Sequence, residues 1–172
     1  MNIDIGIQGY TIRSFLKTDT TSLQHHANNK NIANNLKNIF PHPYTIKDAE
    51  QWIAYVKKQD PETEFAIVCS DKIIGGIGFN ILDDISHKSA QLGYWLGEVY
   101  WSKGIMTKAV AAFTTYAFKT FDLIRIFTHV FETNLASARV LNKAGYNFEG
   151  RMSKSAIKNG IILDQVLYAK VI

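Results

Sequence analysis

Only one cysteine, Cys69, occurs in 172 residues. That excludes an internal disulfide and a zinc site built from several cysteines, and it leads to the expectation of a reducing, cytoplasmic setting. Proline is also scarce, with three in all. Two of them, Pro41 and Pro43, fall in "FPHPY" and hold that stretch out of helix. No run approaches the ~20 apolar residues that a membrane span requires. "MNIDIGIQGY" has no basic region ahead of an apolar one, so no secretory leader is expected. Charge is modest and dispersed: the net value is +4, and the longest basic cluster is the pair Lys57–Lys58. Nucleic-acid proteins usually carry a clustered basic stripe. Its absence disfavours nucleic acid as a partner, while a phosphorylated cofactor remains compatible with the charge. His25, His26, His42, His87 and His129 lack metal-ligand spacing, so no metal is expected.

The composition that remains, 47% apolar and 20% charged, is that of an ordinary globular domain. The length suits a single domain over residues 1–172. A first strand is predicted near Tyr10 to Phe15, and short helices from about Thr20 to Leu36. Thr45 and Asp48 form a capping-box pattern opening a helix through Trp52, Ile53 and Val56. "EFAIVCS" and "IIGGIGFNIL" read as a hairpin turning at Asp71–Lys72. "AQLGYWL" is a strand, Gly104 to about Lys119 a helix, and "IRIFTHVF" another strand rich in β-branched and aromatic residues. "LASARVLNKAG" is a helix closed by Gly145, and "AIK-NG-IIL" a hairpin around an Asn-Gly turn. This order predicts an α/β (mixed α+β) fold with a mixed sheet of about seven strands, flanking helices and one right-handed crossover at its centre.

The crossover contains "GEVYWSKGIMTKAV", where the chain passes from strand to helix through little side chain. A helix beginning beyond a strand's carboxyl end offers unpaired N–H groups and the positive end of its dipole, which suits an anion. Gly104 permits close backbone approach, Lys103 adds charge, and Thr107 can donate a hydroxyl. The stretch is not a P-loop, and Gly75, Gly76 and Gly78 lie inside a strand, so they make no dinucleotide fingerprint. An ordinary helix start would look the same.

A second motif follows, "NLASARVLNKAGY". The pair, "GYWLGEVYWSKGIMTKAV" and then N-x-x-S-x-R-V-L-N-K-A-G-Y, resembles the GNAT superfamily of acetyl-CoA-dependent N-acetyltransferases. Within it, the branch resembled is that of the ribosomal-protein N-terminal acetyltransferases (RimJ/RimL-like). "NIFPHPYTIKDAEQWI" and "GIILDQVLYAKVI" extend the likeness over nearly the whole chain. The resemblance implies a central parallel pair of strands that splay apart to admit the pantetheine arm of coenzyme A. It implies that the loop Trp101, Ser102, Lys103, Gly104, Ile105 and Met106, with Thr107, wraps the pyrophosphate. It also implies that Leu96 and Gly97 offer backbone groups to the pantetheine and an N–H to the thioester oxygen. Trp101 and Met106 stand where the superfamily loop usually has Gln or Arg and Gly or Ala, and Ser102 where Gly is common.

For the chemistry, the resemblance makes Ser137 the proton donor to the leaving thiolate; as a bare sequence feature it is also a first-turn helix residue. Asn134 can both cap that helix and contact the cofactor. Arg139 and Lys143 either meet coenzyme A phosphates or solvate the helix. An α-amine with a pKa near 7.8 is ~14% neutral at pH 7, whereas a lysine near 10.4 is only ~0.04% neutral, so an α-amine needs the weaker base. Glu98 is the candidate base, a water relay the alternative, and His42 and Tyr44 are candidates to line the acceptor site. Cys69 reads as a small core hydrophobe, so direct transfer is expected. The expected acceptor is a protein or peptide N-terminus, with small amines such as an aminoglycoside, polyamine or amino acid as the alternative. A non-catalytic module binding coenzyme A or nucleic acid is the reading from another class. No membrane partner is expected, and a homodimer is allowed for.

Overall fold

The computed structural model describes residues 1–172. The strands are β1 (Asn2–Asp4), β2 (Tyr10–Arg13), β3 (Glu64–Cys69), β4 (Lys72–Ile81), β5 (Ser89–Leu96), β6 (Arg125–Phe131), β7 (Asn147–Lys158) and β8 (Ile161–Val171). They form one mixed sheet in the order β1-β2-β3-β4-β5-β6-β8-β7. The sheet thus has eight strands where the sequence predicts about seven. The extra one, β1, pairs with β2 through only three residues, too few to leave an alternating pattern. The closing hairpin turns at Asn159–Gly160, where both residues have positive φ, but its arms run far beyond the few apolar residues that flag it.

The helices are α1 (Thr20–Ala27), α2 (Lys30–Ala33), α3 (Ile46–Val56), α4 (Ile105–Thr120) and α5 (Leu135–Lys143). Thr45 caps α3, its Oγ1 accepting the Asp48 N–H at 3.2 Å while the Asp48 carboxylate accepts the Thr45 N–H at 2.7 Å. Ala49, Ile53 and Val56 then recur at helical spacing and are buried with Phe15, Leu23, Ala66 and Val68 on one face of the sheet. On the other face α4 buries Ile105, Ala109, Val110, Phe113 and Ala117. Phe113 packs on Phe65 and Phe79 at centroid distances of 5.6 and 5.5 Å, a full aromatic burial that contributes about 3 kcal/mol. Cys69, expected in the core, ends β3 half-buried against its edge.

The central strands β5 and β6 are parallel, and they pair only at Ser89–Arg125, Ala90–Ile126 and Gln91–Phe127. Beyond that point they part, while β4 follows β5 as far as Leu96 and β8 follows β6 to Phe131. The sheet is therefore split at its centre, with α4 and α5 on one side and α1 and α3 on the other.

Candidate active site

The split opens a cleft of about 1930 Å³ that reaches both faces of the sheet. Its backbone walls follow from the ladder. Gly97 N–H donates to the Ile74 carbonyl at 2.7 Å, and in an antiparallel ladder successive residues point their polar groups to opposite neighbours. The polar groups of Tyr94 and Leu96 therefore point away from β4, into the gap. This corrects the expectation for Gly97: its N–H is committed to the sheet, so the donors available to a thioester oxygen are those of Tyr94 and Leu96. Gly97 is glycine for a steric reason, since a Cβ there would lie 2.8 Å from His26 Nδ1 and 3.1 Å from the Ile74 carbonyl.

The loop after β5 bends back on it. Trp101 Nε1 donates to the Leu96 carbonyl at 2.7 Å, a tie that locks the loop to the strand end. Ser102 and Gly104 both hold left-handed backbone, with φ of 60° and 76°. A left-handed residue with a side chain is strained by about 1 kcal/mol, which explains why glycine suits the place of Ser102. Gly104 is the N-cap of α4, and no side chain caps that helix. A Cβ on Gly104 would meet nothing within 4 Å, so the helix start faces open space. Ile105 and Met106 send buried side chains into the core, leaving only their backbone for a ligand. Ser102, Gly104 and Thr107 line the cleft, and the uncapped N–H groups with the positive dipole end fit an anionic pyrophosphate. Lys103 does not line it; its ammonium lies 5.6 Å from the centre of the Tyr100 ring.

Opposite stands the first turn of α5. Asn134 Oδ1 accepts the Ser137 N–H at 3.1 Å, fixing the turn, and Ser137 Oγ lies 2.7 Å from the Tyr94 hydroxyl. Burial drives the Tyr94 phenol well above its ordinary range, so it stays protonated and can donate. Ser137, Asn134, Arg139 and Lys143 all border the cleft. Tyr94 is a partner that the sequence reading missed, because only the strand's facing direction shows it.

Two expectations fail on position. Glu98 does not line the cleft: its carboxylate accepts from Asn29 Nδ2 at 2.6 Å and Asn31 Nδ2 at 3.0 Å, tying the loop to the α1–α2 turn. Each oxygen already accepts one amide bond, and the carboxylate stands outside the cleft, which speaks against it as the base. His42 is exposed and borders a separate, smaller recess beside Lys30 and Asn34. Tyr44 does reach the cleft but is itself buried, and burial pushes its phenol up as well.

A residue that the sequence reading passed over lines the α1/α3 side of the cleft. Glu64, at the start of β3, lies on the α1/α3 face, and its carboxyl lines the cleft. Burial, unrelieved by any donor, pushes it up to about 7. The sequence signal was an acid on the inward face of an otherwise apolar strand. No three His, Cys, Asp or Glu side chains come together as a metal site, and no helix is long and apolar enough to cross a membrane.

The chain is similar to several known proteins. A probable N-acetyltransferase of Bacillus subtilis (strain 168), YjcK, is 34% identical over 131 residues, 73% of this chain and 72% of its own. The ribosomal-protein-serine acetyltransferase of Escherichia coli (strain K12) is 31% identical over 108 residues, 63% of this chain and 60% of its own. Among solved structures, RimL, a ribosomal L7/L12 α-N-protein acetyltransferase in complex with coenzyme A, superposes with a TM-score of 0.88 at 22% identity, over 100% of this chain and 98% of that one. The last likeness is one of fold. The acetyltransferase (GNAT) domain family itself matches residues 10–147. With the match spanning most of the sequence, including both motifs around the split, the chain belongs to the GNAT family of N-acetyltransferases.

Proposed function

We propose that this N-acetyltransferase takes its acetyl group from acetyl-CoA and places it on the N-terminal α-amine of a protein or peptide. The observation that carries the reading is the split between β5 and β6, with the Tyr94–Ser137 pair on one side and an open acceptor face on the other. Acetyl-CoA supplies the activated acyl group. Leu96 and Tyr94 offer backbone groups along the gap, and the uncapped start of α4 offers N–H groups to the phosphates. Ser137, steadied by Asn134 and Tyr94, hands a proton to the departing sulfur. The α-amine is favoured because it needs little deprotonation near neutrality. The names of the serine acetyltransferase of E. coli and of RimL point the same way.

The test is a panel of short peptides carrying either a free N-terminus or a blocked N-terminus with an internal lysine, beside a polyamine and an aminoglycoside. Thiol release from acetyl-CoA and mass spectrometry report transfer. Acetylation confined to free N-termini supports the reading, and transfer to the small amines alone overturns its acceptor. Gly104→Glu places a carboxylate at the proposed phosphate seat and is expected to abolish acetyl-CoA binding by calorimetry.

A further inference from the structure

Three residues form a row across the acceptor face. Glu64 of β3 pairs with Gly78 of β4, and Gly78 with Gly93 of β5. The Glu64 side chain leans over Gly78: a Cβ there would lie 2.0 Å from its Oε2, so any larger residue would evict the carboxylate. At Gly93 the situation reverses. A Cβ would meet nothing within 4 Å, and the residue is exposed although it sits in a central strand. Strands lie about 4.8 Å apart, so the vacant place over Gly93 adjoins the carboxylate on one side and the split on the other. Phe40, Tyr44, Trp52 and Trp95 contribute aromatic walls, and aromatic faces attract an ammonium. No hydrogen-bond donor or cation of the protein reaches Glu64.

We propose that Glu64 is the catalytic base for the acceptor, receiving its ammonium group over Gly93. The proposal rests on the acetyltransferase reading and deepens it. One ammonium proton passes to the Glu64 carboxylate, and the nitrogen lone pair forms the C–N bond to the thioester carbonyl carbon as the C–S bond breaks. The departing thiolate takes the Ser137 hydroxyl proton. The second proton released by the nitrogen restores that hydroxyl through water, and Glu64 returns its own proton to solvent. Acid and base then work from opposite faces of the split sheet. A carboxyl pushed up to about 7 by burial suits this exchange. The other titratable groups that line the same cleft are Lys37 and Tyr44 from the loop before α3, Asp48 and Tyr55 from α3, Tyr94 and Tyr100 from β5 and the loop after it, His129 from β6, Arg139 and Lys143 from α5, and Lys158 from β7. Glu62 is engaged by Ser14.

The experiment compares Glu64→Gln with the unmodified protein. Glutamine keeps the shape and removes the proton acceptor. We expect kcat for the peptide substrate to fall by about 100-fold or more, and the acid limb near pH 7 in kcat/KM to vanish. Acetyl-CoA affinity by calorimetry should not change. Gly93→Val, which fills the vacant place, should raise KM for the peptide and leave acetyl-CoA affinity intact. Turnover within about threefold of the unmodified protein with the same acid limb would overturn the proposal, while leaving the acetyltransferase reading in place. If no acceptor is acetylated, that reading fails, and binding of a free-N-terminal tripeptide amide to the coenzyme A complex decides the seat. Affinity at least about tenfold weaker in Glu64→Gln supports it, and equal affinity overturns it.

Discussion

The hydroxyl of Tyr94 lies 2.7 Å from Ser137 Oγ, so the end of the central strand is linked to the first turn of α5 directly across the cleft. The link sets the rotamer of a serine whose backbone N–H is already held by Asn134. Tyr94→Phe keeps the ring and removes the hydroxyl. The expected result is a kcat lowered about 10- to 100-fold, with calorimetric acetyl-CoA affinity unchanged. Ser137→Ala should cost a similar amount, and the double variant little more, because residues acting as one unit are not additive. Additive losses would show that the two hydroxyls serve separate steps.

Glu98 gives the opposite expectation. Both its oxygens accept side-chain amide bonds from Asn29 and Asn31, and it stands outside the cleft. Glu98→Gln is therefore expected to turn over within about threefold of the unmodified protein at saturating peptide. A much larger loss with an altered pH profile would restore it as the base.

How far these roles could be read from sequence depends on how local their cause is. Gly104 at a helix start, Asn134 three residues before Ser137 and the Thr45–Asp48 box all act within a turn of chain, and local spacing exposes them. The Asn159–Gly160 turn is legible for the same reason. Glu64, Gly78 and Gly93 become a unit only through two strand registers, and the commitment of the Gly97 N–H to Ile74 needs the ladder's phase. Neither is a property of any short window. Glu98 misled because its place beside the loop is visible in sequence, whereas Asn29 and Asn31 reach it from far upstream.

Asp19 offers a test of the fold away from the chemistry. It is 3% exposed and accepts both Arg13 guanidinium bonds, at 2.7 and 2.8 Å, together with the Leu16 N–H at 2.7 Å. The Arg13 side chain is itself mostly shielded. Removing one partner leaves an uncompensated buried charge, so Asp19→Ala should lower unfolding free energy by about 3–5 kcal/mol. Urea unfolding followed by tryptophan fluorescence measures this. An apolar replacement of both residues should recover much of the loss, since the pair's own desolvation disappears with it.

Glu64 carries a cost that stability can report without any acceptor. Its carboxyl rises from an ordinary 4.5 to about 7 in the folded protein, so between those values the folded state binds the proton more tightly than the unfolded chain. As pH rises from the ordinary value to the folded one, the unfolded chain gains by ionising while the folded group does not, so stability falls by up to about 3 kcal/mol on this shift. Glu64→Gln cannot ionise and escapes the loss. Thermal unfolding should therefore show the variant and the unmodified protein nearly matched at pH 4. At pH 8 the variant should be more stable, by about 4 °C or more. Parallel curves across that range would mean that water or a cation relieves the carboxylate, and a buried group kept at such a cost would no longer need a functional explanation.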